Sequence, residues 1–254
     1  MALYVGDRQH RRSRPVPAAA AVHATKVYGS GTTAVRALDD VSLQVPARRF
    51  TAIMGPSGSG KSTLMHCLAG LDRLTRGDVF IDGTALSSLS ERRLTKLRRE
   101  RVGFVFQAYN LVPTLTAGEN ITLPLSLARR RRDQDWIDAV IDAVGLGNRL
   151  GHRPSELSGG QQQRVAVARA LASQPAIVFA DEPTGNLDRR SGHEVLAFLR
   201  YAVDALGQTV VMVTHDPLAA SYTHHALFLA DGRIVDEVFR PTPGSVLHHM
   251  GRLE

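Results

Sequence analysis

Lysine is scarce in this chain of 254 residues, since only Lys26, Lys61 and Lys96 carry an ammonium group. The rest of the positive charge behind the net charge of +7 comes from 28 arginines. Because alanine and glycine are also abundant, this excess of arginine is more typical of a GC-rich genome than of a particular function. The net charge is compatible with a nucleic acid or a membrane surface as partner, and it demands neither. A lysine that falls inside a motif is therefore informative.

Cysteine and long apolar runs are scarce as well. Cys67 is the only cysteine, which excludes a disulfide within the chain and a cysteine-rich metal site. No run of about 18 apolar residues exists, so no membrane-spanning helix is predicted. The arginine-rich start is followed by an apolar stretch, residues 16–22, that is too short and weak for a signal peptide. We therefore expect residues 1–20 to form a disordered basic tail and residues 241–254 a loosely attached C-terminal tail.

Short apolar runs rich in β-branched residues alternate with helical patterns, which predicts an α/β fold with a mainly parallel sheet. Strand patterns are absent between residues 108 and 157, so this segment is predicted to be a helical subdomain inserted into the α/β core. Strands are predicted at Ala21–Val27, Val41–Gln44, Phe50–Met54, Asp78–Ile81, Val102–Phe106, Ile177–Ala180, Thr209–Val213, Ala226–Leu229 and Ile234–Val238. Helices are predicted directly after Gly60 and Gly160 and at Glu91–Arg99, Asp133–Val144 and Arg190–Leu206.

Residues 55–62 fit the phosphate-binding pattern G-x-x-x-x-G-K-[ST] at every fixed position. An apolar strand pattern precedes them and a helical pattern follows, which is the context that separates a P-loop from an ordinary Gly/Ser-rich turn. The glycines allow backbone N–H groups to approach phosphate oxygens, and the helix adds the positive end of its dipole. Lys61 is expected to reach the β- and γ-phosphates, and Ser62 to give its hydroxyl to Mg²⁺.

Two carboxylates, Asp181 and Glu182, follow the continuous apolar run Ile177–Ala180. Such a run is typical of a strand buried on both faces, and ligands of open α/β sheets bind at the carboxyl ends of strands. Asp181 is suited to the Mg²⁺ shell and Glu182 to general-base activation of water. A solvated loop is the alternative, which the P-loop disfavours. These motifs together indicate a nucleoside triphosphatase and leave kinases, GTPases, helicases and transport ATPases open.

Residues 157–164, LSGGQQQR, resemble the signature sequence of the ATP-binding cassette (ABC) ATPases. A serine, two glycines and a helix start make a second anion site of hydroxyl, bare backbone and helix N-terminus. One chain rarely needs two such sites for one γ-phosphate. The resemblance implies that Ser158, Gly159, Gly160 and Gln161 contact the nucleotide held by another subunit, so that two ATP molecules lie between head-to-tail subunits.

Other positions fill the pattern of the same family. The resemblance implies a Q-loop glutamine at Gln107, a switch histidine at His215, a D-loop aspartate at Asp188 and an adenine-stacking aromatic residue at Tyr28. The implied catalytic residues are Glu182, His215 and Gln107, and the implied metal-binding residues are Ser62, Gln107 and Asp181. The residues implied to bind nucleotide are Tyr28, Gly55, Ser57, Gly58, Ser59, Gly60, Lys61, Ser62, Thr63, Asp181, Ser158, Gly159, Gly160, Gln161 and Asp188.

Two segments, residues 104–125 and 180–188, resemble the branch of macrolide-exporter, lipoprotein-release and FtsE-like ATPases, the MacB/LolD type. The resemblance implies a P-loop NTPase (RecA-like) core with an N-terminal antiparallel β subdomain and an inserted α-helical subdomain, within an ABC ATPase domain at residues 21–240. It also implies ATP and Mg²⁺ as ligands, a second copy of the chain, and an FtsX/MacB-like permease on a separate chain. The resemblance further implies that the ATPase lies at the cytoplasmic face of the cell membrane and drives its permease in export, lipoprotein release or mechanotransmission.

Two other functions fit parts of the pattern. In the first, the ATPase drives a regulator of extracytoplasmic cell-wall enzymes and nothing is transported; the permease sequence would distinguish this case. In the second, a soluble ABC ATPase acts on nucleic acid. The 96 positions from Lys61 to Leu157 hold no heptad run, and the chain has one cassette, so no nucleic-acid partner is expected. The arginine-rich segments 8–14 and 129–132 are interpreted as solvated surface, with nucleic acid or the anionic lipid headgroups beside a membrane partner as alternatives.

Overall fold

The computed structural model describes residues 16–129, 131 and 133–253. Its strands are β1 (Ala19–Tyr28), β2 (Val35–Val45), β3 (Phe50–Met54), β4 (Arg76–Ile81), β5 (Thr84–Ala85), β6 (Val102–Phe106), β7 (Ile177–Asp181), β8 (Val210–Val213), β9 (His225–Ala230) and β10 (Arg233–Phe239). Its α-helices are α1 (Lys61–Leu68), α2 (Glu91–Arg101), α3 (Ala117–Ala128), α4 (Gln134–Val144), α5 (Gly159–Leu171), α6 (Arg189–Asp204), α7 (Pro217–Ser221) and α8 (Pro243–Met250). Short 3₁₀ helices lie at Gly31–Thr33, Gly147–Arg149 and Pro154–Glu156.

The smaller sheet is antiparallel, with strand order β2-β1-β4-β5. Its central strand, β1, pairs Ala19 with Val45 on one side and with Ile81 on the other. The buried alanines of β1 pack with Leu64 and Leu68 of α1, so this sheet rests on the helix that follows the P-loop. The implied antiparallel subdomain is therefore present. β1 begins two residues inside the predicted basic tail, and residues 1–15 of that tail lie outside the described residues.

The larger sheet has strand order β10-β9-β3-β8-β7-β6, and all its pairings are parallel except that of β10 with β9. β3 and β8 are buried along their whole length. Alternate residues point to opposite layers: Val178 packs with α5 and α6, whereas Phe179 packs with α1. Because both faces are covered, the strands read as continuous apolar runs, as predicted. Their carboxyl ends form the edge where the site lies.

Among the described residues between β6 and α5, the secondary structure consists of α3, α4 and two short 3₁₀ helices. Its first helix, α3, was not predicted individually; it starts with a capping box between Thr116 and Glu119 and contains Pro124. α4 has a clear apolar face, with Ile137 and Val140 buried in the core cluster that also contains α5. The arginine run between α3 and α4 lies only partly within the described residues.

The prediction of a loosely attached C-terminal tail is wrong for α8. Val246 of α8 is fully buried and packs with Met54 of β3 and Phe228 of β9, and His249 forms a hydrogen bond with Asp236 of β10. The sequence signal was weak because Val246 is the only residue that this helix buries. Its position depends on the β9–β10 pair, which lies earlier in the chain. Among the described residues, no helix combines the length and hydropathy needed to cross a membrane.

Cys67 gives a direct test of the core beneath the smaller sheet. Its side chain is buried in α1, and this burial raises the pKa of the thiol to about 12. We expect a disulfide reagent at pH 8 to label the native chain at least about 100-fold more slowly than the chain unfolded in guanidinium, because the thiolate is the reacting species. A chain in which Cys67 is replaced by alanine and the exposed Ser88 by cysteine should be labelled rapidly in its native state. Equally rapid labelling of native Cys67 would contradict the buried position.

Candidate nucleotide-binding site

The P-loop joins β3 to α1 and lies tightly against its neighbours. Gly55 has φ +146°, and a Cβ there would lie 2.0 Å from the carbonyl oxygen of Leu229. Gly60 has φ +100°, and a Cβ there would lie 2.3 Å from the carbonyl oxygen of Ala37. Both glycines are therefore required by the backbone path itself. The N-terminal turn of α1 follows directly, so its free N–H groups adjoin the loop.

Lys61 lies half-buried within this loop. Its Nζ donates hydrogen bonds to the carbonyl oxygens of Gly55 at 2.9 Å and Pro56 at 2.7 Å. Burial lowers the pKa of Lys61, and the carboxylates of Glu182 and Asp181 act in the opposite direction. The ammonium group therefore lies within electrostatic range of both carboxylates that follow β7, which unites the two sequence motifs in one site.

Asp181 ends β7, between the ends of β8 and β6. Burial raises the pKa of Asp181, and the Glu182 carboxylate adds to the rise, whereas His66 and Lys61 oppose it. A half-buried carboxylate of this kind gains from a cation beside it. No group of three or more His, Cys, Asp or Glu side chains suited to a metal occurs in the described part of the chain. Oxygen donors from Asp181 and Ser62 nevertheless fit Mg²⁺, which takes only one or two carboxylates when phosphates complete its shell.

One polar atom in the loop lacks a protein partner. The Oγ of Ser59 is buried and forms no hydrogen bond with any described residue. Its backbone N–H donates to the carbonyl oxygen of Pro56. A buried hydroxyl without a partner costs free energy, so its presence in a glycine-rich loop fits a ligand with hydrogen-bonding oxygens.

Glu182 and His215 lie together at the ends of β7 and β8. His215 Nδ1 is 2.7 Å from Glu182 Oε1, in a hydrogen bond that the imidazole donates to the carboxylate. Glu182 adopts φ +43°, which is strained for a residue with a side chain. Its N–H donates to the carbonyl oxygen of Val213, which fixes the backbone. Because the histidine is exposed and the glutamate mostly covered, the carboxylate is held in place while the imidazole faces solvent.

Gln107 follows β6 and contacts the segment that leads to Asp188. Its Nε2 donates to Asn186 Oδ1 at 3.0 Å, and Asn186 Nδ2 donates back to the carbonyl oxygen of Gln107. Asn186 lies within the family-like segment 180–188, and the sequence predicts no role for it. Gln163 is not predicted as a site residue either; it is fully buried and donates to the carbonyl oxygens of Pro183 at 2.6 Å and Phe106 at 3.3 Å. The Gln163 amide therefore ties the ends of β6 and β7 to α5, and the Asn186 amide joins the segments that follow these two strands.

The signature residues form the N-terminus of α5. The Ser158 hydroxyl accepts from the N–H of Gln161 and the Gln161 side chain accepts from the N–H of Ser158, which is a capping box. A Cβ on Gly160 would lie 2.6 Å from Ser191 Oγ. Asp188 caps α6 through the N–H and hydroxyl of Ser191, and these hydrogen bonds lower its pKa. Ser191 therefore joins the signature helix to the predicted D-loop.

Tyr28 is the last residue of β1, in the smaller sheet. Its hydroxyl donates to Asp72 Oδ2 at 2.6 Å, and the Nζ of Lys26 lies 4.7 Å from the centre of its ring. The side chain is 42% exposed, which leaves ring surface for a ligand.

The structure thus brings the P-loop, Asp181, Glu182, His215 and Gln107 to one edge of the larger sheet. It does not bring the signature into the same cluster: within the described residues, no hydrogen bond or ion pair connects residues 158–161 with residues 55–63. The P-loop and the signature segment of one chain are therefore separate.

A comparison with protein-family models decides the family. The model for the ABC transporter family matches residues 38–185, more than half of the chain. This chain belongs to the ABC transporter family. It is an ABC ATPase and, within the family, an ATP-binding subunit of the MacB/LolD type. The family and the architecture predicted from the sequence are both confirmed.

Three relatives illustrate the range of this family. The lipoprotein-releasing system ATP-binding protein LolD of Bordetella avium is 46% identical over 217 residues, which cover 85% of this chain and 94% of LolD. The macrolide export ATP-binding/permease protein MacB of Rhodospirillum rubrum is 45% identical over 240 residues, 94% of this chain but only 37% of MacB. The solved dimer of MJ0796 from Methanocaldococcus jannaschii, bound to ADP and phosphate, is 40% identical with a TM-score of 0.78, covering 87% of this chain and 98% of that one.

Proposed function

We propose that this ABC ATPase hydrolyses Mg-ATP between two head-to-tail subunits and thereby drives an FtsX/MacB-like permease carried on a separate chain. One observation carries the proposal: a single chain holds two phosphate-binding helix starts, α1 and α5, that do not meet within it. The dimeric solved relative bound to ADP and phosphate supports the same arrangement. The relatives LolD and MacB, named for lipoprotein release and macrolide export, support a membrane transport partner, which would place this chain at the cytoplasmic face of the cell membrane.

The nucleotide would be held by the P-loop and by β1. Backbone N–H groups of Gly55, Gly58 and Gly60, with the Ser57 and Ser59 hydroxyls, suit the phosphates, and Lys61 and Thr63 extend the same surface. Tyr28 would stack on adenine. Ser62, Asp181 and Gln107 would hold Mg²⁺, which neutralises charge on the phosphate oxygens. Lys61 would exchange its two carbonyl acceptors for phosphate oxygens, which are stronger acceptors.

Glu182 is the residue placed to take a proton from the attacking water. Its carboxylate is held by the strained backbone and by His215, so it is oriented before the substrate arrives. His215 is exposed enough to turn towards a γ-phosphate and donate a hydrogen bond there. Most of the rate enhancement would come from positioning and charge stabilisation, as in other phosphoryl transfers.

The second subunit would complete the site. Ser158, Gly159, Gly160 and Gln161 of that copy would meet the γ-phosphate, with Asp188 beside the same interface. Hydrolysis removes the shared phosphate, so the two copies would separate. ATP would thus hold the dimer closed and its hydrolysis would open it.

The helical subdomain would pass this motion to the permease through the surface formed by residues 108–125. α3 packs on α5, and the guanidinium of Arg169 in α5 donates hydrogen bonds to the carbonyl oxygens of Tyr109 and Asn110. The signature helix and the start of this surface are therefore mechanically linked. Co-expression with an FtsX-like permease from the same genome, followed by purification in detergent, should yield one complex with stimulated ATPase activity. Failure to form that complex would contradict the proposed partner.

Arginine in place of Ser158 tests the shared site. The bulky cation should prevent closure, so cooperative ATPase activity should fall at least about tenfold, while fluorescent ATP binding to the single subunit stays within about twofold. Loss of the helix cap costs about 1 kcal/mol, so thermal unfolding must be measured alongside. Ser158→Thr keeps the cap and serves as the matched control. Unchanged cooperativity in Ser158→Arg would count against the head-to-tail dimer.

A further inference from the structure

Asp72 connects the helix after the P-loop with the strand that carries Tyr28. It lies in the turn that follows α1, and its carboxylate is bound on both oxygens. Oδ2 accepts from the Tyr28 hydroxyl at 2.6 Å, and Oδ1 accepts from Lys26 Nζ at 2.6 Å. The N–H of Arg73 also donates to Oδ1 at 2.7 Å, which fixes the carboxylate relative to its own turn.

Lys26 contacts both the turn that carries Asp72 and the ring of Tyr28. Its ammonium also donates to the carbonyl oxygen of Arg73 at 2.7 Å, and it lies over the Tyr28 ring, 4.7 Å from the centroid. The Lys26 side chain is only 12% exposed, so it is far more ordered than a surface lysine. One face of the tyrosine ring is therefore covered by a fixed cation, and the remaining exposed ring surface is available to a flat ligand.

The charges in this group support one another. Burial alone would raise the pKa of Asp72, but hydrogen bonds from Lys26 and Tyr28 outweigh it and hold the pKa below its usual value. Burial and the bond to Asp72 raise the pKa of Tyr28, so the phenol stays a donor. The ring is thus held in one orientation at its hydroxyl by a charged acceptor and at its face by a cation.

We propose that Asp72 and Lys26 are positioning residues that hold the Tyr28 ring as a preformed platform for the purine base, and that they determine ATP affinity through the base alone. This inference rests on the proposed stacking role of Tyr28. An ordered ring loses little freedom when a base stacks on it, whereas a loose ring must be ordered at the expense of affinity. Neither of these two residues forms a side-chain hydrogen bond or ion pair with residues 55–63, so phosphate binding should be independent of them.

Calorimetric titration of the full-length chain with ATP and with inorganic tripolyphosphate tests this directly. In Asp72→Asn the Kd for ATP should rise about fivefold, since stacking on aromatic side chains is worth this much or more, while the Kd for tripolyphosphate changes less than about twofold. The KM for ATP should rise with the Kd, and kcat at saturation should be nearly retained. Glu91→Gln, which removes the exposed partner of the neighbouring Arg73, is the matched control and should leave both ligands unaffected.

Two further variants separate the ways in which the proposal can fail. Lys26→Met keeps the apolar stem and removes only the cation, so it should show the same selective loss of ATP affinity even if Asp72→Asn folds poorly. Equal weakening of ATP and tripolyphosphate in both variants would mean that the residues support the whole site, and would overturn the proposal. Unchanged ATP affinity would also overturn it. Tyr28→Ala distinguishes failure of this inference from failure of the proposed stacking role. If Tyr28→Ala also binds ATP normally, the stacking role of Tyr28 is wrong as well.

Discussion

Replacing Glu182 with glutamine is expected to lower kcat for ATP hydrolysis at least about 100-fold, because a positioned general base contributes a factor of this size or more. ATP binding should persist, since the amide keeps the shape of the side chain and Glu182 forms its hydrogen bonds with His215, Val213 and Gly185, outside the P-loop. The measurement is phosphate release at saturating Mg-ATP, together with equilibrium binding of a fluorescent ATP analogue.

The same variant should also trap the dimer. Light scattering of Glu182→Gln should give the mass of one chain without nucleotide and of two chains with Mg-ATP. Glu100→Gln, a change of the same kind on the surface helix α2, serves as the control and should hydrolyse ATP at the rate of the unmodified chain. Rapid hydrolysis by Glu182→Gln would overturn the general-base assignment. If Glu182→Gln stays monomeric with Mg-ATP, and only one ATPase chain is found in its complex with the permease, the head-to-tail dimer is overturned.

Replacing Lys61 with alanine is expected to reduce kcat/KM for ATP about 100-fold, which corresponds to about 2.7 kcal/mol of transition-state stabilisation. The half-buried ammonium is the only lysine in the phosphate loop, and a charge-assisted bond to phosphate is among the strongest single contacts that a side chain can make. Initial rates over a range of Mg-ATP concentrations will separate an effect on KM from one on kcat.

A matched control is available because lysine is so scarce. Lys96→Ala removes an exposed lysine of α2 that faces Glu100 at 3.9 Å, and its activity should be unchanged. Thermal unfolding should be similar for both variants, because Lys61 bonds only to backbone carbonyl oxygens of its own loop. Normal kcat/KM in Lys61→Ala would exclude the P-loop as the phosphate site.

The two helix starts after glycine-rich loops, the two carboxylates after β7 and the helical insertion could all be predicted from the sequence. Each of these depends on residues close together in the chain, where a strand, a turn and a helix follow one another and leave a fixed pattern. The continuous apolar runs also identified the central strands, because a strand covered on both faces carries no polar alternation. The family resemblance then supplied the predicted roles of Gln107, His215 and Asp188.

Only the tertiary structure decided which of these residues meet. The bond between Gln107 and Asn186 joins positions 79 apart, and that between Tyr28 and Asp72 positions 44 apart. The docking of α8 likewise depends on β9 and β10 rather than on its own weak apolar face. Contacts of this kind arise from the order of strands in a sheet and the packing of helices on it, so no local pattern records them. That is why the sequence predicted the parts of the phosphate site, and the folded chain was needed to find the support behind Tyr28.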